Sequence, residues 1–138
     1  MQSENEIVAV SRKALWVGRI ISALPVLFLL MDGVMKLVKP EFVVKATVQL
    51  GYPESVIVGL GVVLLTCTVL YMIPATSVLG AILLTGYLGG AVATHVRVGE
   101  GLFSVLFPVI VGVLLWLGLY LRDERLRELI PLRRQVSR

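Results

Sequence analysis

Cysteine and histidine are almost absent from this chain, since each occurs once in 138 residues, as Cys67 and His95. A single cysteine excludes an internal disulfide and a Cys-x-x-Cys redox pair. One histidine, one cysteine and scattered carboxylates provide no ligand pair at a recognised metal-binding spacing, so we expect no metal site. Phosphate-cradling loops, nucleophile elbows and the His-Glu-x-x-His motif are also missing from the sequence. The sequence therefore lacks the common signatures of nucleotide-binding proteins, hydrolases and metalloenzymes.

Charged residues are scarce as well, at 16% of the chain against 57% hydrophobic residues, and the mean hydropathy is +0.92. A water-soluble domain of this length could not cover so much apolar surface with so few charges. The net charge of +4 lies at chain ends and loops, which is typical of membrane topology and does not indicate nucleic-acid binding. We therefore expect an all-α, polytopic membrane protein that forms a single domain in a lipid bilayer.

Four apolar runs are long enough to cross a bilayer as helices. They predict spans at about residues 15–38, 53–73, 77–97 and 102–121. Between the first two spans, Lys39 to Tyr52 has apolar residues at helical spacing with charged residues opposite, which indicates a short amphipathic helix on the membrane surface. Spans two and three must be antiparallel neighbours, because only Pro74 to Thr76 joins them. The sequence therefore predicts a four-helix membrane bundle with a charged C-terminal tail, which could continue the last helix as far as Ile130.

The distribution of lysine and arginine predicts the orientation of the bundle. Four spans place both termini on one side of the membrane, and that side carries nine of the basic residues while the other side carries four. The nine are Arg12, Lys13, Arg19, Arg122, Arg125, Arg127, Arg133, Arg134 and Arg138, and the four are Lys36, Lys39, Lys45 and Arg97. Because cytoplasmic loops carry the excess of basic residues, we expect a cell-membrane protein with both termini in the cytoplasm.

The third span is unusually rich in small residues. Gly86 and Gly90 form a Gly-x-x-x-Gly motif, and Gly89 belongs to a second row of small residues at fourfold spacing. Close approach of helix backbones is a main source of attraction between helices in lipid. We therefore expect the third span to be the packing centre of the bundle, in contact with at least two other helices through Gly86, Gly89 and Gly90.

Ionisable residues near the membrane gather at one level, close to the outer side of the predicted bundle. The apolar run of residues 20–31 is too short to span a bilayer, so Asp32 is held at membrane depth. Lys36 lies one helical turn further along and can pair with Asp32. Glu54 opens span two on this side, and the antiparallel turn at Pro74 returns His95, the end of span three, to the same level.

These residues support two interpretations. In the first, Asp32, Lys36, His95 and Glu54 line a polar ligand-binding pocket under the outer surface, roofed by the amphipathic segment, because intramembrane ionisable groups are often functional. Lys36 would neutralise Asp32 and leave His95 free to meet the polar head of a ligand. In the second, the long side chains are boundary charges that reach the interface, and Asp32 and Lys36 form a structural ion pair.

Several features occur in an order that is similar to a known family. They are Arg19, the run from Asp32 to Pro40, Leu50 to Pro53, Ile73-Pro74, Gly89 to His95 and the charged run after Tyr120. With these features the chain resembles DoxX-like family membrane proteins. The resemblance implies a four-helix membrane bundle. The family name comes from membrane redox proteins linked to quinone and sulfur chemistry, which makes a quinone the candidate cofactor, and some relatives act as assembly partners.

Three functions remain open from the sequence. The first is binding of a quinone-like molecule or lipid in the polar pocket, with a link to redox chemistry but no assigned enzymatic reaction. The second is a non-enzymatic accessory subunit of a larger membrane complex, in which a membrane-protein partner or a second copy packs on the small-residue faces. The third is a small transporter, which four short helices could form only as an oligomer.

Overall fold

The computed structural model describes residues 11–130, and this segment folds into helices joined by short turns. The helices are α1 (Arg12–Val38), α2 (Glu41–Gln49), α3 (Ile57–Met72), α4 (Ser77–Val98), α5 (Leu102–Arg122) and α6 (Glu124–Leu129). Single 3-10 turns, Glu54–Val56 and Pro74–Thr76, lead into α3 and α4. With these turns included, α1, α3, α4 and α5 are each long and apolar enough to cross a membrane. The prediction of an all-α bundle of four membrane helices is thus confirmed.

The four long helices form a ring. Helix α1 packs against α3 and α5, and α4 packs against the same two helices, so α1 and α4 lie diagonally opposite each other. Leucines from all four helices fill the centre with almost no exposed surface: Leu29, Leu64, Leu84 and Leu115. Residues 11 and 130 lie at one end of the ring, which we call the terminal end, and α2 lies at the other, which we call the α2 end.

The terminal end is held together by glycines at close helix contacts. A Cβ atom built on Gly118 of α5 would lie 2.9 Å from the Ser22 backbone nitrogen and 3.0 Å from the Gly18 carbonyl oxygen of α1. A Cβ atom on Gly80 of α4 would lie 2.5 Å from Tyr71 Cα of α3. Since any side chain larger than hydrogen would meet backbone at these points, the glycines set the distances between α1 and α5 and between α3 and α4.

A buried polar group crosses the same end of the bundle. The Tyr71 hydroxyl donates to the Leu115 carbonyl oxygen at 2.5 Å and lies 3.1 Å from Ser22 Oγ, so it joins α3 to both α5 and α1. The Arg122 guanidinium lies over the Tyr71 ring, 5.1 Å from its centroid. Because buried hydroxyls are costly unless they are hydrogen-bonded, these contacts fix the depth at which the three helices meet.

The prediction that α4 packs on its neighbours through Gly86, Gly89 and Gly90 is wrong. A Cβ atom on any of these three glycines would find open space within 4 Å. Helix α4 does contact two other long helices, α3 and α5, but its buried residues include Gly80, Ala81, Leu84 and Leu88. Between Val78 and Ala93, helix α4 has apolar or small residues on nearly every side, so its sequence shows no polar stripe that would indicate which small residues face the bundle.

The last helix does not run on unbroken to Ile130. Asp123 adopts an extended conformation after α5, and its side chain accepts a hydrogen bond from the Leu126 backbone nitrogen at 3.1 Å. Asp123 is therefore the N-cap of α6, a separate short helix that buries Leu126 against the bundle core. The predicted tail beyond residue 130 and the first ten residues lie outside the described residues.

Candidate functional site

The acidic group of the site comes from α1. Asp32 lies six residues before the end of this helix, about 9 Å along its axis. Lys36 Nζ lies 2.6 Å from Asp32 Oδ2, and the lysine side chain is only 15% exposed. Gly61 of α3 makes room for the lysine, because a Cβ atom there would lie 2.8 Å from Lys36 Cβ. The predicted ion pair is therefore present, with the lysine stem against the α3 backbone.

Helix α2 forms a roof over the α2 end of the bundle. Sharp turns precede and follow it, since Lys39 has a φ of 56° and Gly51 has a φ of 90°. Arg97 Nη2 at the end of α4 donates to the Leu50 carbonyl oxygen at 2.8 Å. A Cβ atom on Gly51 would lie 2.9 Å from the same guanidinium nitrogen, so a glycine is needed there for its backbone conformation and for space. The roof is thus fastened to α4.

His95 and Thr94 bring polar groups to the site from the last turn of α4. His95 Nδ1 lies 2.7 Å from Glu100 Oε2, because Gly99 takes a left-handed conformation and turns the chain back. The Thr94 hydroxyl lies 2.7 Å from the Tyr52 hydroxyl, which comes from the segment between α2 and α3. An ionised carboxylate can only accept hydrogen bonds, so Glu100 places the proton of a neutral His95 on Nδ1 and leaves Nε2 as an acceptor.

These elements enclose a cavity of about 530 Å³ between the diagonal helices α1 and α4. Its polar side chains come from Asp32, Lys36, Thr47, Tyr52, Tyr87, Thr94 and His95. Much of its remaining wall is apolar, with contributions from α1, α2, α4 and α5, among them Phe28, Val43, Leu50, Leu88, Phe107 and Val111. Phe28 and Phe107 meet edge to face with ring centroids 5.0 Å apart. The volume lies within the range of about 300–1,000 Å³ that is usual for small-molecule sites.

The structure brings together three of the four residues that the sequence singled out as a pocket. Asp32, Lys36 and His95 all line the cavity, and α2 covers it as expected. Glu54 is not among the lining residues, and its Oε1 lies 3.1 Å from Lys39 Nζ instead. The expectation of a free His95 also needs correction, since Glu100 engages one of its two ring nitrogens.

Sequence reasoning overlooked the tyrosines and phenylalanines of the cavity. Tyr87, Phe28 and Phe107 sit within apolar runs, where an aromatic residue is ordinarily a core or lipid-facing residue. Tyr52 carries a signal that could have been read, because it follows Gly51 at the end of the amphipathic segment and so returns toward the bundle. The structure shows that these four aromatic rings line the same cavity as the ion pair.

Metal chemistry is not indicated by the arrangement of the side chains. Within residues 11–130, no group of three or more histidine, cysteine, aspartate or glutamate side chains is placed to hold a metal ion. Cys67 is buried in the core cluster of α3, and it is absent from the cavity wall. The described site thus offers hydrogen bonds, one ion pair and an apolar wall.

Comparison with known protein families identifies a family that matches most of the chain. The model of the DoxX-like family matches residues 20–118, which is more than half of the chain. The matched segment runs from the third turn of α1 to near the end of α5 and includes Asp32, Lys36 and His95. No curated protein and no solved structure matches the chain significantly.

Proposed function

The chain belongs to the DoxX-like family, and from this premise we propose that it is a membrane protein that binds a lipid-soluble ligand in the cavity. The ligand, quinone-like or lipid, would place its polar head between Asp32, Lys36 and His95 and its apolar part along the aromatic wall. The proposal includes a link to membrane redox chemistry through such a ligand, and it assigns no reaction to the chain itself.

The observation that carries this proposal is the meeting of charged and apolar side chains in one cavity at membrane depth. An ionised side chain inside the hydrocarbon costs about 2.5–3.5 kcal/mol even on lenient scales. The Asp32–Lys36 pair offsets part of this cost, but a purely structural pair would need no adjoining volume of about 530 Å³. An amphipathic molecule fits both parts of such a space, since its head can bond to the polar groups and its tail can contact the rings.

The cavity can be filled without disturbing the packing of the bundle, which provides a direct test. Gly90 lines the cavity and a Cβ atom there meets open space, so Gly90→Leu should occupy the space that the ligand needs. Gly89→Leu is the matched control, because Gly89 is exposed, does not line the cavity and also has open space around it. We expect mass spectrometry after mild detergent purification to find a retained small molecule with the wild type and Gly89→Leu. Gly90→Leu should lose it, and equal retention by both variants would contradict the proposal.

We also propose that the termini lie in the cytoplasm and that the cavity lies near the outer leaflet of the cell membrane, as the distribution of basic residues indicates. In a Cys67→Ala background, a membrane-impermeant thiol reagent applied from outside should label Lys45→Cys and spare Arg125→Cys. Both positions are exposed, and they lie at opposite ends of the bundle. The reverse labelling pattern would show that the cavity opens near the inner leaflet.

A second function is favoured by one feature of α4. The exposed side of this helix presents Thr85, Gly89 and Ala93, and Gly89 makes no close contact with other helices of the chain. Small residues on a lipid-facing helix allow another helix to approach closely. An accessory subunit that packs on a partner through this face would therefore use Gly89, which the bundle leaves open, while Thr85 on the same face already accepts a hydrogen bond from Trp116 Nε1 of α5 at 2.7 Å. A stable larger complex that Gly89→Leu disrupts, together with an empty cavity, would favour this function.

A further inference from the structure

Several donors and acceptors in the cavity wall have no hydrogen-bond partner among the described residues. Their chemistry indicates which polar head group a ligand would carry. Among the described residues, the Tyr87 hydroxyl has no hydrogen-bond partner, and Lys36 Nζ has one acceptor, Asp32 Oδ2. On the accepting side, Asp32 Oδ1 has no partner, and His95 Nε2 is the ring nitrogen that Glu100 does not engage. The cavity therefore offers both donors and acceptors to a head group.

The charges around the cavity argue against an anionic head. The charges of Asp32 and Lys36 cancel, and the Glu100 carboxylate lies against His95 Nδ1. Two cations at the α2 end have partners within the chain, since Arg97 Nη2 donates to the Leu50 carbonyl oxygen and Lys39 pairs with Glu54. A fully ionised phosphate would meet the Asp32 carboxylate, and it could donate no hydrogen bond to Asp32 Oδ1 or His95 Nε2.

We propose that the ligand has an uncharged head with at least one hydroxyl group, and that the Glu100–His95 pair makes the cavity select this hydroxyl. The hydroxyl donates to His95 Nε2, while its oxygen accepts from the donors on the opposite side of the cavity. Glu100 touches no ligand atom in this arrangement and acts as a positioning residue that fixes the tautomer of His95. For a quinone-like ligand, the preferred form is the reduced one, which carries hydroxyl groups. The inference rests on the proposed binding function.

Three probes with the same chain and aromatic ring test this selection. They are 4-dodecylphenol, which can donate a hydrogen bond, 4-dodecylanisole, which cannot, and 4-dodecylphenyl phosphate, which is anionic. The bound fraction of each probe is measured by native mass spectrometry of the full-length protein in detergent. Wild type should prefer the phenol to the anisole by about tenfold, as expected for one hydrogen bond whose loss leaves a buried group unpaired. The phosphate should bind more weakly than the phenol.

The variants separate the role of Glu100 from a general effect on the cavity. A glutamine amide can accept from or donate to His95 Nδ1, so Glu100→Gln no longer fixes the tautomer, and the preference for the phenol should fall to about twofold or less. His95→Phe should abolish the preference in a similar way while it keeps the aromatic shape. Glu41→Gln removes a carboxylate that pairs with Lys45 on exposed α2 surface, and it should keep the wild-type preference.

The outcomes distinguish the selection of a hydroxyl group from the binding function itself. Binding of the probes to the wild type without a preference for the phenol, or with the phosphate bound most tightly, would overturn the selection and leave the binding function standing. An unchanged preference in Glu100→Gln would overturn the role of Glu100. If the wild type binds none of the probes and retains no molecule on purification, the binding function falls, and the selection with it.

Discussion

Gly80→Ala is expected to cost about 1–3 kcal/mol of stability or more, which is the usual range for overpacking a closely packed contact. The added methyl group would lie 2.5 Å from Tyr71 Cα. It would meet backbone and not the end of a flexible side chain, so α3 and α4 must separate. Such a separation would also strain the hydrogen bonds of the Tyr71 hydroxyl to α1 and α5. Thermal unfolding in detergent, followed by circular dichroism, measures the loss as a lower melting temperature.

Gly89→Ala is the matched control, since it is the same substitution in the same helix. A Cβ atom on Gly89 meets nothing within 4 Å, so the variant should be neutral or gain up to about 0.5–1 kcal/mol from the higher helix propensity of alanine. If Gly89→Ala lowers the melting temperature as much as Gly80→Ala, Gly89 is packed against a helix of another chain, and the accessory-subunit function gains weight.

Lys36→Gln is expected to cause a large loss of ligand binding. It leaves the Asp32 carboxylate without its cation at membrane depth, and breaking a fully buried pair in this way costs about 3–5 kcal/mol. Asp32 is 33% exposed, so solvent and head groups reduce the cost here to about 1–3 kcal/mol. The head of the ligand loses its strongest donor in the same step, and we expect retention to fall at least about tenfold. Mass spectrometry of the purified variant, together with its melting temperature, measures both effects.

The double variant Asp32→Asn/Lys36→Gln separates stability from binding. It leaves no unpaired charge, so the melting temperature should return toward that of the wild type, while ligand retention stays low. Lys45→Gln serves as a control for the loss of a lysine, because Lys45 is 68% exposed and pairs with Glu41 on the outside of α2. Wild-type ligand retention in the double variant would show that the ion pair is only structural.

The membrane helices and the level of the site could be predicted from the sequence for simple physical reasons. A helix needs about 20 apolar residues to cross a bilayer, so the short run before Asp32 placed this acid at membrane depth. The tight turn at Pro74 then fixed the direction of α4 and returned His95 to the same level. Both arguments depend on distances along helix axes, which sequence spacing determines directly.

Rotation about the helix axes was much harder to predict. The glycines near 86–90 and Gly80 lie on one apolar helix, and only the structure shows that Gly80 faces α3 while the others face the cavity or open space. The ion pairs at the helix ends could not be predicted from the sequence either. Glu54 binds Lys39 because Lys39 adopts a left-handed conformation, and Glu100 binds His95 because Gly99 does so. Such turns depend on single dihedral angles, and charge alone does not predict them.

The glycine contacts at the terminal end restrict the path along the axis of the bundle. The described cavity walls end near Val111 of α5, and beyond them the tight contacts between Gly18 and Gly118 and between Gly80 and Tyr71 form a seal. The cavity therefore lies at the α2 end of the bundle, and close backbone contacts separate it from the terminal end. Movement of a molecule from the cavity along the bundle axis to the terminal end would require these backbones to come apart. For the binding function proposed above, we therefore expect a single copy of the chain to hold a molecule at the α2 end, while transfer to the terminal end would need a different packing of the helices at these glycine contacts.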